Sequence, residues 1–150
     1  MGTISSEKTL RNDIKETHNR ANYTHTVFVE IGTSQNCNPC HYWSENIHNG
    51  YISGEYDFEY VEMIVFDHDG NVLNEVASNW EKIYEIGAYP TSILDGNFKK
   101  IVGNQPNELS YKLEEYGNRA VSGISAEISV MWLGDVKIYV NINIENNENT

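Results

Sequence analysis

The chain has 150 residues, 39% of them hydrophobic, and 22 acidic against 10 basic side chains, for a formal charge of −12. That length suits one domain with a proper core and a small appendage. No Lys/Arg cluster exists to neutralise phosphates, which argues against nucleic acid or an anionic membrane as partner, and no run approaches the roughly eighteen apolar residues of a bilayer span.

Residues 1–24 read as a polar N-terminal extension, with Leu10 and Ile14 four apart on a short helix over 7–20. The first residues lack the apolar core of a signal peptide. Asn22-Tyr23-Thr24 fits the N-glycosylation triplet, a pattern that chance supplies often. A strand is predicted over 25–32, through Thr26-Val27-Phe28-Val29-Glu30-Ile31. Cys40, Trp43 and Ile47 then share one face of a helix that Asn49-Gly50 should end. Phe58–Phe66 closes in an unbroken apolar run, which predicts a central strand buried on both faces. Asp67-His68-Asp69-Gly70 lacks the rest of a calcium loop and reads as a turn.

Val72, Val76, Trp80 and Ile83 predict a helix over 71–86, broken by Gly87-Ala88-Tyr89-Pro90. Thr91–Leu94 and Phe98–Val102 flank Asp95-Gly96-Asn97, a strong hairpin signal. Pro106 starts a helix carrying Leu109, Leu113 and Tyr116, stopped by Gly117. From Ile124 the pattern changes to strict alternation on both sides of Gly134-Asp135. The stripe Ile128, Val130, Trp132, Val136, Ile138, Val140 and Ile142 predicts an amphipathic hairpin over 124–145. A lone two-stranded hairpin is marginal in water, so this one should be ordered by a surface outside its own strands. It reads as the opening of a β-sandwich cut at residue 150, and predicts pairing between chains.

The chemistry centres on Cys37-Asn38-Pro39-Cys40, which contains the only two cysteines. At C-x-x-C spacing two thiols can close a small disulfide ring or remain a dithiol. A helix starting at Cys37 aims N–H groups and the positive end of its dipole at that sulfur, favouring the thiolate that performs disulfide exchange. His41, when cationic, would lower the Cys37 pKa further; the alternative is a solvated helix histidine. A bridge closing so small a loop removes little chain entropy, so stability alone explains it poorly. Cys37-Asn38-Pro39-Cys40-His41 also fits the C-x-x-C-H attachment motif of c-type haem, with His48, His68, Met63 or Met131 as second axial ligand. Zinc would need two further ligands that the chain does not supply as a second cysteine pair. Copper on two thiolates and His41 is chemically conceivable.

A strand entering C-x-P-C, a helix behind it, a buried strand, a helix, and then Ala88-Tyr89-Pro90-Thr91-Ser92-Ile93-Leu94-Asp95-Gly96 ahead of a final helix resemble the thioredoxin family. The resemblance covers about residues 25–118. It implies a three-layer α/β/α domain over 25–120 with a central mixed sheet, and residues 121–150 as the appended hairpin. It further implies Cys37 as nucleophile, Cys40 as resolving thiol, Pro39 as the proline of the motif and Asn38 as its variable position. Pro90 would be a cis proline facing the sulfurs, with Tyr89 contacting substrate. Asn36 stands where the family usually has Trp. The family's buried acid falls at Ile31, and Glu30 matches it only if the loop Gly32–Asn36 holds one extra residue; otherwise Glu30 is an outward-facing strand residue. The function implied is thiol–disulfide exchange on protein thiols or disulfides, with no cofactor beyond the dithiol. A thioredoxin-like interaction module without turnover is the other reading of the same fold. The chain is also similar to thioredoxin-like domains of multidomain exported proteins, which implies an extracytoplasmic setting.

Overall fold

A computed structural model describes residues 23–135 and 137–147. The helix expected over 7–20, the Asn22 triplet and Val136 of the hairpin stripe fall outside these residues. Among the described residues the elements run β1 (Val27–Ser34), α1 (Asn38–Ser53), β2 (Phe58–Phe66), α2 (Glu75–Ile83), β3 (Thr91–Leu94), β4 (Lys99–Val102), α3 (Pro106–Gly117), β5 (Ile124–Gly134) and β6 (Lys137–Asn146).

A mixed α/β unit forms first. Its four-stranded sheet has the order β2-β1-β3-β4, with β1 parallel to β2 and antiparallel to β3. A parallel pair needs a crossover, which α1 supplies. Along β1 the apolar residues alternate: Val27, Val29 and Ile31 pack with Trp43 and Ile47 of α1 and Leu109 and Leu113 of α3. This face is the main core. The other face is covered by α2, whose Trp80 lies over Gly32 and whose buried side is Ala77, Ser78 and Trp80. The sheet is thus sandwiched between helices.

Three expectations are corrected. β2 is an edge strand of the four-stranded sheet, with Glu59 and Ile64 exposed. Its apolar run is covered on the α1 side by Tyr51, which packs edge-on against Phe58 and Tyr60, and on the α2 side at Val65. The first helix runs through Asn49-Gly50 and ends at Gly54, whose φ of 66° gives the left-handed turn that a C-terminal glycine accommodates without a Cβ clash. The second helix, α2, begins only at Glu75, capped by the Asn74 side chain, which accepts from the N–H groups of Val76 and Ala77. Val72 instead bridges Phe66, and Val76 and Ile83 face solvent, so of the predicted stripe only Trp80 enters the core.

The hairpin of Asp95-Gly96-Asn97 forms with all three residues at positive φ, and β4 starts at Lys99, with Phe98 in the turn. β5 and β6 make a separate two-stranded antiparallel sheet, in which Ile128 faces Ile142, Val130 faces Val140 and Trp132 faces Ile138. Within the described residues nothing covers this apolar face.

Candidate functional site

The site lies where β1 runs out and α1 begins. Gln35 N–H donates to the Phe66 carbonyl at 3.0 Å and Cys37 N–H to the Ser34 carbonyl at 3.1 Å, which fixes the short loop between strand and helix. Cys37 is the N-cap residue of α1, in extended conformation, and its main-chain carbonyl accepts from Cys40 N–H at 3.1 Å. Pro39, the second residue of α1, has no N–H and so removes one of the donors that the first turn of a helix leaves unpaired. The two sulfurs form a disulfide between Cα atoms 5.3 Å apart. The two ends of this bridge differ in access. Cys37 is half-buried and open to solvent, whereas Cys40 is only 3% exposed, on the same helix face as Trp43 and Ile47.

Tyr89–Pro90 is a cis peptide bond at the entrance to β3. Because Gly32 pairs with Thr91, Tyr89 and Pro90 sit just beyond the last ladder pair, at the end of the sheet from which the Cys37 loop emerges. Pro90 is buried, its carbonyl accepting from Gly103 N–H at 2.8 Å, and Thr91 Oγ1 donates to the Ala88 carbonyl at 2.7 Å. The Tyr89 hydroxyl donates to the Glu81 carboxylate of α2. Burial, followed by this bond and the Glu81 charge, pushes the phenol pKa well above its ordinary value. The Tyr89 ring also meets Phe66 edge-on, with centroids 6.1 Å apart.

No protein-family model and no curated protein matches the sequence. Solved structures similar to it include thioredoxins. The thioredoxin of Malassezia sympodialis aligns at 19% identity and a TM-score of 0.46, over 61% of this chain and 76% of that one. Oxidised mitochondrial thioredoxin 3 of Saccharomyces cerevisiae aligns at 23% identity and a TM-score of 0.46, over 62% and 81%. A mutant thioredoxin of Halobacterium salinarum aligns at 20% identity and a TM-score of 0.47, over 63% and 78%.

Of the residues singled out in the sequence, Asn38, Pro39 and His41 are exposed on the first turn of α1 beside the bridge. Glu30 lies on the opposite sheet face from α1. Its Oε1 accepts from Trp80 Nε1 at 2.8 Å and its Oε2 from the Tyr84 hydroxyl at 3.0 Å. Glu30 is therefore neither outward-facing nor idle: it anchors α2 to β1. Burial first, then the bond to Glu30 and its charge, raise the Tyr84 pKa. Motif reading missed Trp80, Glu81 and Tyr84 as a polar lattice under the site; the one available signal was two hydrogen-bonding aromatics and an acid within five residues of helix, just ahead of Tyr89-Pro90.

Among the described residues no group of three or more His, Cys, Asp or Glu side chains is placed to hold a metal. In the disulfide form neither sulfur is free for the thioether links of haem attachment through Cys37, Cys40 and His41. His48 Nδ1 lies 2.9 Å from the Tyr60 hydroxyl.

Proposed function

We propose that this chain is a thiol–disulfide oxidoreductase of the thioredoxin type, acting on protein cysteines through the Cys37–Cys40 pair. The observation that carries the reading is the unequal access of the two sulfurs at the start of a 16-residue helix. In the oxidising direction a substrate thiolate attacks Cys37 Sγ, because Cys40 is shielded. The Cys37–Cys40 bond breaks, a mixed disulfide forms at Cys37, and Cys40 leaves as thiolate and takes up a proton. A second substrate thiolate then attacks the substrate sulfur of the mixed disulfide, releasing Cys37 as thiolate and the substrate as disulfide. Two electrons pass to the protein with one proton, held by Cys40, while Cys37 stays a thiolate and the second substrate proton goes to solvent. The reducing direction is the same sequence reversed, with Cys37 thiolate as attacker and Cys40 resolving.

The helix N-terminus favours the Cys37 thiolate, both as nucleophile and as leaving group. The Tyr89 main chain beside Pro90 offers an edge on which an extended substrate segment can pair, continuing the β1–β3 ladder. Glu30, hydrogen-bonded to Trp80 and Tyr84, holds α2 in place. The pair itself is the only redox group required.

The test uses Cys40→Ser. With the resolving thiol gone, incubation with insulin should leave a mixed disulfide at Cys37 that intact-mass spectrometry detects, while Cys37→Ser traps nothing. On the reduced wild-type protein, iodoacetamide should modify Cys37 before Cys40. Absence of any trapped adduct, together with no insulin reduction by the wild type in dithiothreitol, would leave a binding module without turnover.

A further inference from the structure

The β5–β6 hairpin is built for a partner that the rest of the described chain does not provide. One side of it carries Ile124, Ala126, Ile128, Val130 and Trp132 on β5, opposite Ile138, Val140, Ile142 and Ile144 on β6. The eight large side chains of this face are each 47–67% exposed, against 0–6% for the apolar residues of the main core. No charged residue interrupts the stripe from Ile128 to Ile144, and the opposite side carries Glu127, Ser129, Asn141, Asn143 and Glu145, with Met131 facing Tyr139 towards the turn. A solvated two-stranded ribbon with one face apolar from Ala126 to Ile144 does not hold itself in water.

We infer that this face is a homodimer interface, two copies of the hairpin packing face to face about a two-fold axis into a four-stranded sandwich. Area supports the occupant. At roughly 100 Å² per side chain, the eight residues bury about 800 Å² on each partner, the size of a standard stable protein interface. Chemistry supports it as well. Discrimination between partners rests on charged and polar groups placed against each other, and this face offers only the Trp132 indole N–H and, at its far end opposite Ile124, the Asn146 side chain. A two-fold contact needs no such code, because each copy presents the same apolar surface to the other. With −12 on each chain, association is opposed by net charge and should tighten as salt screens it.

The experiment is sedimentation equilibrium of the full chain with fluorescence on dilution. Trp43 and Trp80 are buried within the α/β unit, so a change in tryptophan emission on association reports Trp132. A particle of twice the chain mass at micromolar concentration, emission that shifts red on dilution, and tighter association at 0.5 M than at 0.05 M sodium chloride are expected. Val130→Glu should give a monomer at the same concentration. Ser129→Glu, on the opposite side of the same strand, should leave the dimer intact and controls for loss of the hairpin itself. A wild-type monomer at 100 micromolar would overturn the proposal. So would equal dissociation by both variants, or a ladder of larger species, which would indicate pairing through open strand edges. A hairpin already covered by further strands of a longer chain would appear as a monomer with blue-shifted, dilution-independent emission, and would overturn it too.

Discussion

Trp43 has no exposed surface, yet its indole N–H donates to Ser92 Oγ at 2.8 Å. The two residues belong to different halves of the candidate site. Trp43 follows Cys40 by one helical turn, and Ser92 follows Pro90 by two positions on β3. Their bond ties the helix of the disulfide to the strand that leaves the cis proline, inside a core otherwise apolar. Buried hydrogen bonds matter most when one partner is removed, because the remaining group keeps its desolvation cost. Ser92→Ala leaves the Trp43 N–H without an acceptor and should cost about 1–3 kcal/mol, seen as a lower urea midpoint with unchanged slope. Trp43→Phe with Ser92→Ala should recover part of that loss, since both polar groups are then gone. A single variant with the wild-type midpoint would show that the bond contributes nothing net.

At the level of elements, α2 owes its position to a close approach at one glycine. A Cβ on Gly32 would lie 2.7 Å from Trp80 Cζ3 and 3.3 Å from Tyr89 Cε1. Trp80 is 6% exposed and its N–H is held by Glu30, so the ring has little room to retreat. Gly32→Ala should therefore displace α2 and destabilise the fold by roughly 2 kcal/mol, an overpacking cost. The Trp80–Glu30 and Tyr89–Glu81 bonds loosen with it, so insulin reduction should fall further than the loss of folded protein explains. An unshifted unfolding midpoint would sink this account. Much of the element order was legible in the sequence, because Pro106 and Gly117 mark a helix and Asp95-Gly96-Asn97 marks a turn by their backbone chemistry alone. What was not legible depended on which faces are covered. The run in β2 reads as central because it is apolar throughout, but an edge strand with a helix on each face gives the same pattern. Val72, Val76 and Ile83 have helical spacing, yet the buried side of α2 is set by where Trp80 fits over Gly32. The cysteine pair and Tyr89-Pro90 are contiguous motifs and stood out. The Glu30, Trp80 and Tyr84 contacts join residues some fifty positions apart, and no local pattern encodes them.

Taken across the whole molecule, the end of the sheet remote from the disulfide is closed by one carboxylate. Asp95 Oδ1 accepts from Phe28 N–H at 2.9 Å, while Oδ2 lies 2.9 Å from His25 Nε2 and 3.0 Å from Arg119 Nη2. Residues before β1, in the β3–β4 turn and after α3 thus converge on a single buried group. Arg119 also stacks over Phe98, 4.5 Å from the ring centroid. Burial by itself would raise the Asp95 pKa, but the bonds from His25, Phe28 N–H and Arg119, with the His25 charge, outweigh it and hold the pKa below the usual carboxylate range. A carboxylate whose folded pKa is depressed contributes stability above its unfolded pKa, about 3.9, and loses it as pH falls through the folded value. Asp95→Asn should accordingly cost about 2 kcal/mol near pH 7, since Arg119 loses a charged partner in a half-buried setting. The wild-type stability curve cannot isolate this effect, because acidification also relieves the repulsion of a −12 chain. The difference between wild type and variant can, as both carry nearly the same global charge. That difference should be present throughout pH 7 to about 5, shrink below about 4, and vanish once Asp95 is protonated in the folded state. Urea unfolding of both proteins across this range makes the measurement, and a gap that persists undiminished at pH 2 would show that the Asp95 charge does not hold these three segments together.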